Sequence, residues 1–163
     1  MYRVGLGWDR HPLETGRACV LGGVEFSECE RGPAGHSDGD AVCHAIIDAL
    51  LGAAALGDIG RYFPDSDPAW AGADSTRLLA RSGELLRKAG YEIGNIDCTV
   101  VIEIPRISPR VDAMKTAIAT ALGVTNEQVS VKATRGEGLG PEGRQECVTV
   151  LAVALVTTPV TGE

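Results

Sequence analysis

The chain has 163 residues, 44% of them hydrophobic, and a formal net charge of -7. That is most simply one domain, residues 1–163, with enough apolar material for its own core, and its acidic balance excludes the basic face a nucleic-acid partner needs. No apolar run reaches the roughly 18–20 residues of a membrane span, the N-terminal MYRVGLGWDRHP lacks the basic start and apolar core of a secretory signal, and five cysteines without a C-x-x-C pair read as reduced, small hydrophobes of a cytoplasmic protein.

Residues 2–8 alternate as a strand that puts Val4, Leu6 and Trp8 on one face. Gly5, Gly7, Asp9 and His11 share the opposite parity, and the two glycines keep that face clear of bulk. A hairpin-like region near 18–26 and a glycine-rich loop over 30–39 follow. Ser37 is a candidate N-cap with Asp38 and Asp40 in the first turn, and the helix it starts runs to about Leu56. A turn-rich loop precedes an amphipathic helix over 75–89 that ends at Gly90. Then come a strand over 95–105 stopped by Pro105, a helix over 109–122, a strand over 129–133 and a final strand over 147–156. The sum is α+β: about four longer strands in a mixed sheet, with three helices. The last strand is apolar on both faces and needs cover on both sides. Three helices cover one face, so the other is expected to pack against a partner subunit.

The segment HSDGDAVCHAIIDALL (36–51) is apolar nearly all round apart from Asp40, His44 and Asp48, spaced one turn apart. A helix of that kind is buried, and unpaired buried charge is costly. The narrow polar stripe therefore points to a metal or polar site in preference to a solvated face. Asp9 and His11 on the first strand, with His44, form a three-ligand N/N/O set that leaves a coordination position open, which suits a catalytic zinc or a similar divalent ion. The glycine-rich KATRGEGLGPEGR (132–144) follows a strand and offers backbone N–H groups to a phosphate. It lacks the ending of a P-loop. Within it Glu137 suits a harder ion such as Mg2+, while Arg135 and Arg144 are either phosphate contacts or ordinary loop charge.

GLGWDRHPLETGR, GHSDGDAVCHAIIDALLGAAALGDIGRYFPDSDP, GADS, GNIDCTVV, IPRISP and VKAT.GEGLG..GR occur in this order over nearly the whole chain. Together they closely resemble the 2-C-methyl-D-erythritol 2,4-cyclodiphosphate synthases of the non-mevalonate isoprenoid pathway. The resemblance implies a homotrimer with active sites at subunit interfaces, a diphosphocytidyl substrate, and ring closure by its 2-phosphate with loss of CMP. It implies Asp9, His11 and His44 as ligands of one divalent ion, zinc in the first instance, with Asp48 close by and Asp40 in support. It brings Mg2+ or Mn2+ to the substrate diphosphate near Glu137.

By the same match His36 and Ser37 lie against the phosphates, and Asp9 and His11 reach substrate through the ion. Asp58, Ile59 and Gly60, with Phe63, Pro64, Asp65, Ser66 and Asp67, hold the methylerythritol end. Ile102, Glu103, Ile104, Pro105, Arg106, Ile107 and Ser108, with Thr134, Arg135, Gly136 and Glu137, cradle the cytidine and its diphosphate. Pro141 and Arg144, with Glu146, fall near the three-fold axis, where some members hold an isoprenoid diphosphate. His36, Arg135 and Glu137 are the expected catalytic side chains.

Three positions depart from the pattern. Arg135 stands where many members have a second Thr, credited there with stabilising the transition state. Pro141 stands where a Phe is common, and Arg106 replaces a usual Lys. Two other readings fit the same residues: a metal-dependent phosphohydrolase using water, and a non-catalytic trimer that binds metal or isoprenoid diphosphates.

Overall fold

The first and last long strands pair with each other. In a computed structural model that describes residues 1–158, β1 (Tyr2–Thr15) and β7 (Cys147–Thr157) run antiparallel from Tyr2↔Thr157 to Pro12↔Cys147. Residues 159–163, the tail of the single domain expected over 1–163, lie outside the described residues. β5 (Glu92–Val101) pairs antiparallel with the far edge of β7, and β6 (Val129–Thr134) lies parallel to β5. Parallel neighbours need a crossover, and α4 (Val111–Leu122) supplies it. β4 (Arg31–Pro33) closes the order β4-β1-β7-β5-β6, while β2 (Val20–Leu21) and β3 (Val24–Glu25) form a separate hairpin.

The sheet thus has five strands, not four. β4 falls in the stretch expected to be loop: three residues containing a glycine and a proline carry no periodic signal. They become a strand because the end of β1 offers Leu13, Glu14 and Thr15 as partners, and a proline is tolerated on an edge strand. β1 itself runs to Thr15 instead of residue 8, since pairing with β7 continues to Pro12 and with β4 beyond it. β5 leaves the sheet after Val101, short of the expected Pro105.

α1 (Ala41–Ala53) lies on β1 and β7. Val42, Ile46, Ile47, Leu50 and Leu51 are fully buried along it, and each such side chain contributes about 1.5–3 kcal/mol over an exposed one. The helix can approach because of Gly5 and Gly7: a Cβ on them would stand 2.0 Å from Ala49 O and 1.8 Å from Ala45 O. Its N-cap is Asp40, not Ser37. The Asp40 carboxylate accepts from the backbone N of Val42, Cys43 and Gly22 through Oδ1 and of Gly23 through Oδ2. Asp40 therefore starts the helix and ties it to the β2–β3 turn. The helix ends at Ala53, before the expected Leu56, where Ala55 takes a left-handed φ of 58°.

α3 (Ser75–Lys88) flanks α1, and α4 flanks α3. On the opposite face of β1 and β7, Tyr2, Val4, Leu6, Trp8, Leu151 and Val153 are exposed. Among the described residues, no helix is long and apolar enough to cross a membrane.

Candidate metal centre and substrate cavity

Asp9 and His11 reach the site from β1, and His44 from the first turn of α1. Their ligand atoms all lie within 4.8 Å of one another. Asp9 Oδ2 is 2.9 Å from His11 Nε2 and 3.3 Å from His44 Nδ1, and the two ring nitrogens are 3.1 Å apart.

The protons of these rings point away from the cluster. His11 Nδ1 lies 2.6 Å from the Ala34 carbonyl oxygen, which only accepts, so Nδ1 carries the proton and Nε2 presents a lone pair. His44 Nε2 lies 2.9 Å from Ser75 Oγ, which gives its own proton to Asp38 Oδ1 at 2.5 Å. His44 therefore donates from Nε2 and presents the Nδ1 lone pair. Asp9 Oδ2 is buried with no hydrogen-bond partner despite the nearby rings, as this protonation requires. Three converging lone pairs and no proton between them is an arrangement a cation satisfies, and the N/N/O donor set fits a divalent transition metal.

The electrostatics are those of a proton competing for the same space. Burial raises the Asp9 carboxyl, but when a proton takes that space in place of an ion, hydrogen bonding and charge from the adjacent rings of His11 and His44 hold it well below the usual carboxylate range. Burial lowers His11, and the hydrogen bond and charge of Asp9, with the Ala34 carbonyl and the charge of Asp40, together raise it for a net upward shift. Burial raises Asp48, with the charges of Asp58 and Asp9 adding to the effect and the Ile59 N–H opposing it. Asp40 is raised by burial against the pull of the backbone N–H groups that it caps. Burial also pushes Cys19 and Cys98 up to about 12, so neither offers a thiolate. All five cysteines are free, as expected.

Above the three ligands opens a cavity of about 430 Å³, lined by His36, Ser37, Asp48, Ile59, Gly60, Phe63, Pro64 and Asp65 as well as the ligands themselves. Asp48 Oδ1 accepts from Ile59 N at 2.8 Å and so fixes α2 (Ile59–Tyr62) against α1. Asp58 caps α2 through Arg61 N. Asp67 caps the turn Pro68–Trp70, with its carbonyl oxygen 3.3 Å from His36 Nε2, and Ser66 sits in the tight turn closed by Asp67 N and Pro64 O.

A second recess of about 240 Å³ is lined by Ile102, Glu103, Pro105, Arg106, Ile107, Ser108, Thr134 and Arg135. It shares no lining residue with the first. Arg135 Nη2 pairs with Glu103 Oε1, while Glu103 Oε2 is buried without a partner.

The remaining expected residues lie elsewhere on the single chain. Ile104 turns to a different recess with Leu13, Arg31 and Gln145. Gly136 packs on the backbone of Gly143, Glu137 holds a left-handed φ of 53°, and Pro141 lies in α5 (Gly140–Gly143). Arg144 makes two hydrogen bonds to Glu146, at 2.8 and 3.1 Å.

Sequence reasoning missed Ala34, Trp70 and Ser75, and gave Asp38 only a place in a helical turn. Trp70 meets Phe63 edge-on at 5.1 Å in the cavity wall. A lone aromatic in a turn-rich loop carries no signal of that contact. A hydrophilic residue read as a helix start, as Ser75 was, does not show which side chain it faces.

Residues 2–157 match the family model described as the YgbB family. The chain is 56% identical over 162 residues to 2-C-methyl-D-erythritol 2,4-cyclodiphosphate synthase of Verminephrobacter eiseniae, covering 98% of this chain and 88% of that one. It is 51% identical to the synthase of Thermosynechococcus vestitus, covering 94% and 95%. The IspF of Plasmodium falciparum, solved as a CDP complex, superposes with a TM-score of 0.84 at 32% identity, covering 96% of each chain. The bifunctional IspDF from Campylobacter jejuni superposes at 0.93 and 36% identity, and the chain spans 43% of its length. With a model match over nearly its full length and relatives above half identity, the chain belongs to the YgbB family.

Proposed function

We propose that the chain closes 4-diphosphocytidyl-2-C-methyl-D-erythritol 2-phosphate to 2-C-methyl-D-erythritol 2,4-cyclodiphosphate with release of CMP. The observation that carries this reading is the convergence of three unprotonated donors, Asp9, His11 and His44, at the floor of a cavity in a chain so similar to named synthases. An oxygen of the 2-phosphate attacks the β-phosphorus, and the β-phosphorus–oxygen bond to CMP breaks with its electrons leaving on CMP. The nucleophile is already an anion at neutral pH, so no Ser, Cys or activating base is required.

The work of the residues is to hold two phosphates together and offset their charge. A divalent ion on Asp9, His11 and His44, zinc in this reading, supplies a Lewis acid at a phosphate oxygen. His36 and Ser37, at the cavity wall, orient the phosphates. Asp58, Ile59, Gly60 and Phe63 to Asp67 enclose the methylerythritol end. The recess lined by Glu103, Arg106 and Thr134 takes the cytidine, with Arg135 providing positive charge to the diphosphate. Glu137 is assigned to the Mg2+ or Mn2+ that accompanies that diphosphate.

The two recesses have no lining in common, and the exposed apolar face of β1 and β7 offers a subunit contact. Both features support a homotrimer in which one subunit's cytidine recess serves its neighbour's metal centre. Arg144, Glu146 and Pro141 then fall near the axis, where an isoprenoid diphosphate can bind. Five free thiols suit the cytoplasm.

The test is 31P NMR of zinc-loaded protein with Mg2+ and the diphosphocytidyl substrate, wild type beside His44→Ala. Cyclic diphosphate and CMP are expected with wild type and not with the variant. Inorganic phosphate in their place establishes a hydrolase, and bound but unchanged substrate establishes a binding protein.

A further inference from the structure

The metal ligand His44 is backed by two residues that belong to none of the expected roles. Ser75, the first residue of α3, is fully buried, and its Oγ lies between His44 Nε2 at 2.9 Å and Asp38 Oδ1 at 2.5 Å. The order of donors along this chain is fixed by Asp38. Asp38 Oδ2 accepts from Ser75 N at 3.0 Å, and Oδ1 accepts from Asp40 N at 3.1 Å as well as from the Ser75 hydroxyl. An acceptor-only carboxylate draws the Ser75 proton to itself and turns the Ser75 lone pair toward His44. Ser37 Oγ, 3.1 Å from His44 Nε2, is a second acceptor there.

The segments carrying these groups are sewn together by backbone bonds as well. Gly72 N donates to His36 O at 2.8 Å and Asp38 N to Ala73 O at 3.1 Å. The wall that carries His36 and Ser37 and the turn that carries Trp70 therefore share one support with the metal ligand.

We propose that Asp38 and Ser75 are positioning residues for the metal centre: the relay Asp38–Ser75–His44 holds the proton of His44 on Nε2 and its Nδ1 lone pair on the ion. This rests on the metal-centre reading above. Partners of this kind typically change metal affinity by about 10–100-fold when removed.

Two substitutions probe the relay by different routes. Ser75→Ala removes the nearer acceptor of His44 Nε2–H, at 2.9 Å, and leaves it only Ser37 Oγ at 3.1 Å. Asp38→Asn keeps the size of the side chain and Ser75 itself but supplies one acceptor oxygen. One oxygen cannot serve the Asp40 N–H, the Ser75 N–H and the Ser75 hydroxyl together, so the clamp that fixes Ser75 is broken at one of its bonds. A Ser75 hydroxyl released from Oδ1 turns its proton toward Ser37 Oγ or His44 Nε2, and in either case the lone pair that Asp38 aimed at His44 is no longer held there. Ser82→Ala is the control: Ser82 is equally buried in α3, but its Oγ donates only to Leu78 O.

The measurement is Zn2+ affinity of chelator-stripped protein, by competition with a chromophoric chelator, together with the visible absorption of the Co2+ form. Ser75→Ala and Asp38→Asn are expected to weaken Zn2+ by about tenfold or more and to alter the Co2+ bands, with Ser82→Ala matching wild type. Asp38→Asn reads the same prediction independently of how well Ser75→Ala folds. Wild-type affinity and unchanged Co2+ bands in Asp38→Asn overturn the relay. Equal weakening in Ser82→Ala overturns it too, by reducing the effect to general loss of packing. A wild type that binds no Zn2+ overturns the metal-centre reading itself, a result distinct from either.

Discussion

Replacing Gly7 by alanine puts a methyl carbon 1.8 Å from Ala45 O and 2.9 Å from Ala49 N. Both atoms are backbone of α1, so no side chain can swing aside. Ordinary contact begins at 3.4 Å, and the local turn of α1 must therefore lift by about 1.6 Å. Overpacking costs about 1–3 kcal/mol, and a clash with helical backbone belongs at the top of that range. At about 2–4 °C per kcal/mol for a chain this long, the melting temperature of the metal-free protein falls by about 6–12 °C. His44 adjoins Ala45, so the lift also carries its ring away from Asp9 and His11, and an ion held by the three would tolerate ligand distances off by only about 0.2 Å. Gly5→Ala creates a similar clash, 2.0 Å from Ala49 O and 2.6 Å from Ala53 N, but a turn farther from His44. Calorimetry with and without zinc should show both variants destabilised, with zinc affinity falling more in Gly7→Ala. A Gly7→Ala protein that melts with wild type, or binds zinc as tightly, refutes the claim that these glycines set the distance between helix and strand.

Asp40→Ala removes the α1 cap and orphans the amides of Gly22 and Gly23. A lost cap costs about 0.5–2 kcal/mol and each buried unpaired amide about 1–3 kcal/mol, so urea denaturation should report a loss of about 3 kcal/mol or more; a loss below about 1 kcal/mol contradicts the assignment. Arg135→Ala should lower kcat about hundredfold, as for a lost charge-stabilising donor, measured by CMP release. The double variant Arg135→Ala/Glu103→Gln should stay equally slow, and its recovery would move the defect to the unpaired Glu103.

The contact between Asp9 and His11 predicts opposite pH trends with and without metal. Asp9 is depressed, so its contribution is present above the usual carboxylate pKa and is lost as pH falls through the folded value. His11 is raised, so its contribution is full below the ordinary imidazole value of 6.5 and is lost as pH rises through the folded value. The metal needs a neutral ring, so the extra stability conferred by zinc should grow over the same rise in pH. Melting curves from pH 5 to 8, with zinc and with chelator, check this; parallel curves would contradict it.

Much of the metal centre was legible without coordinates. A three-histidine chain that places every histidine beside an aspartate, two glycines in register with Asp9 and His11, and a narrow polar stripe on an apolar helix each have a plainer reading alone, a chance pair or a solvated face, and only together favour one polar or metal site. The strands at the two ends were legible for a similar reason: period-2 alternation in β1 and an unbroken apolar run in β7 are local properties. β4 was not, because Arg31–Pro33 is a strand only through the partner it meets. Asp40 looked like part of the polar stripe, but as the cap of α1 it spends its carboxylate on amides from the β2–β3 turn some 17–18 residues away in sequence.

The sequence alone thus determined which three side chains could hold an ion and that one buried helix presents His44 to β1, since residue type and spacing carry that information. Only the tertiary structure decided which nitrogen of each ring faces the centre. That depends on acceptors delivered by distant segments, the Ala34 carbonyl for His11 and the Ser75 hydroxyl backed by Asp38 for His44. A proton goes to whichever nitrogen meets an acceptor, and that meeting exists only once α3 and the loop before α1 have packed together.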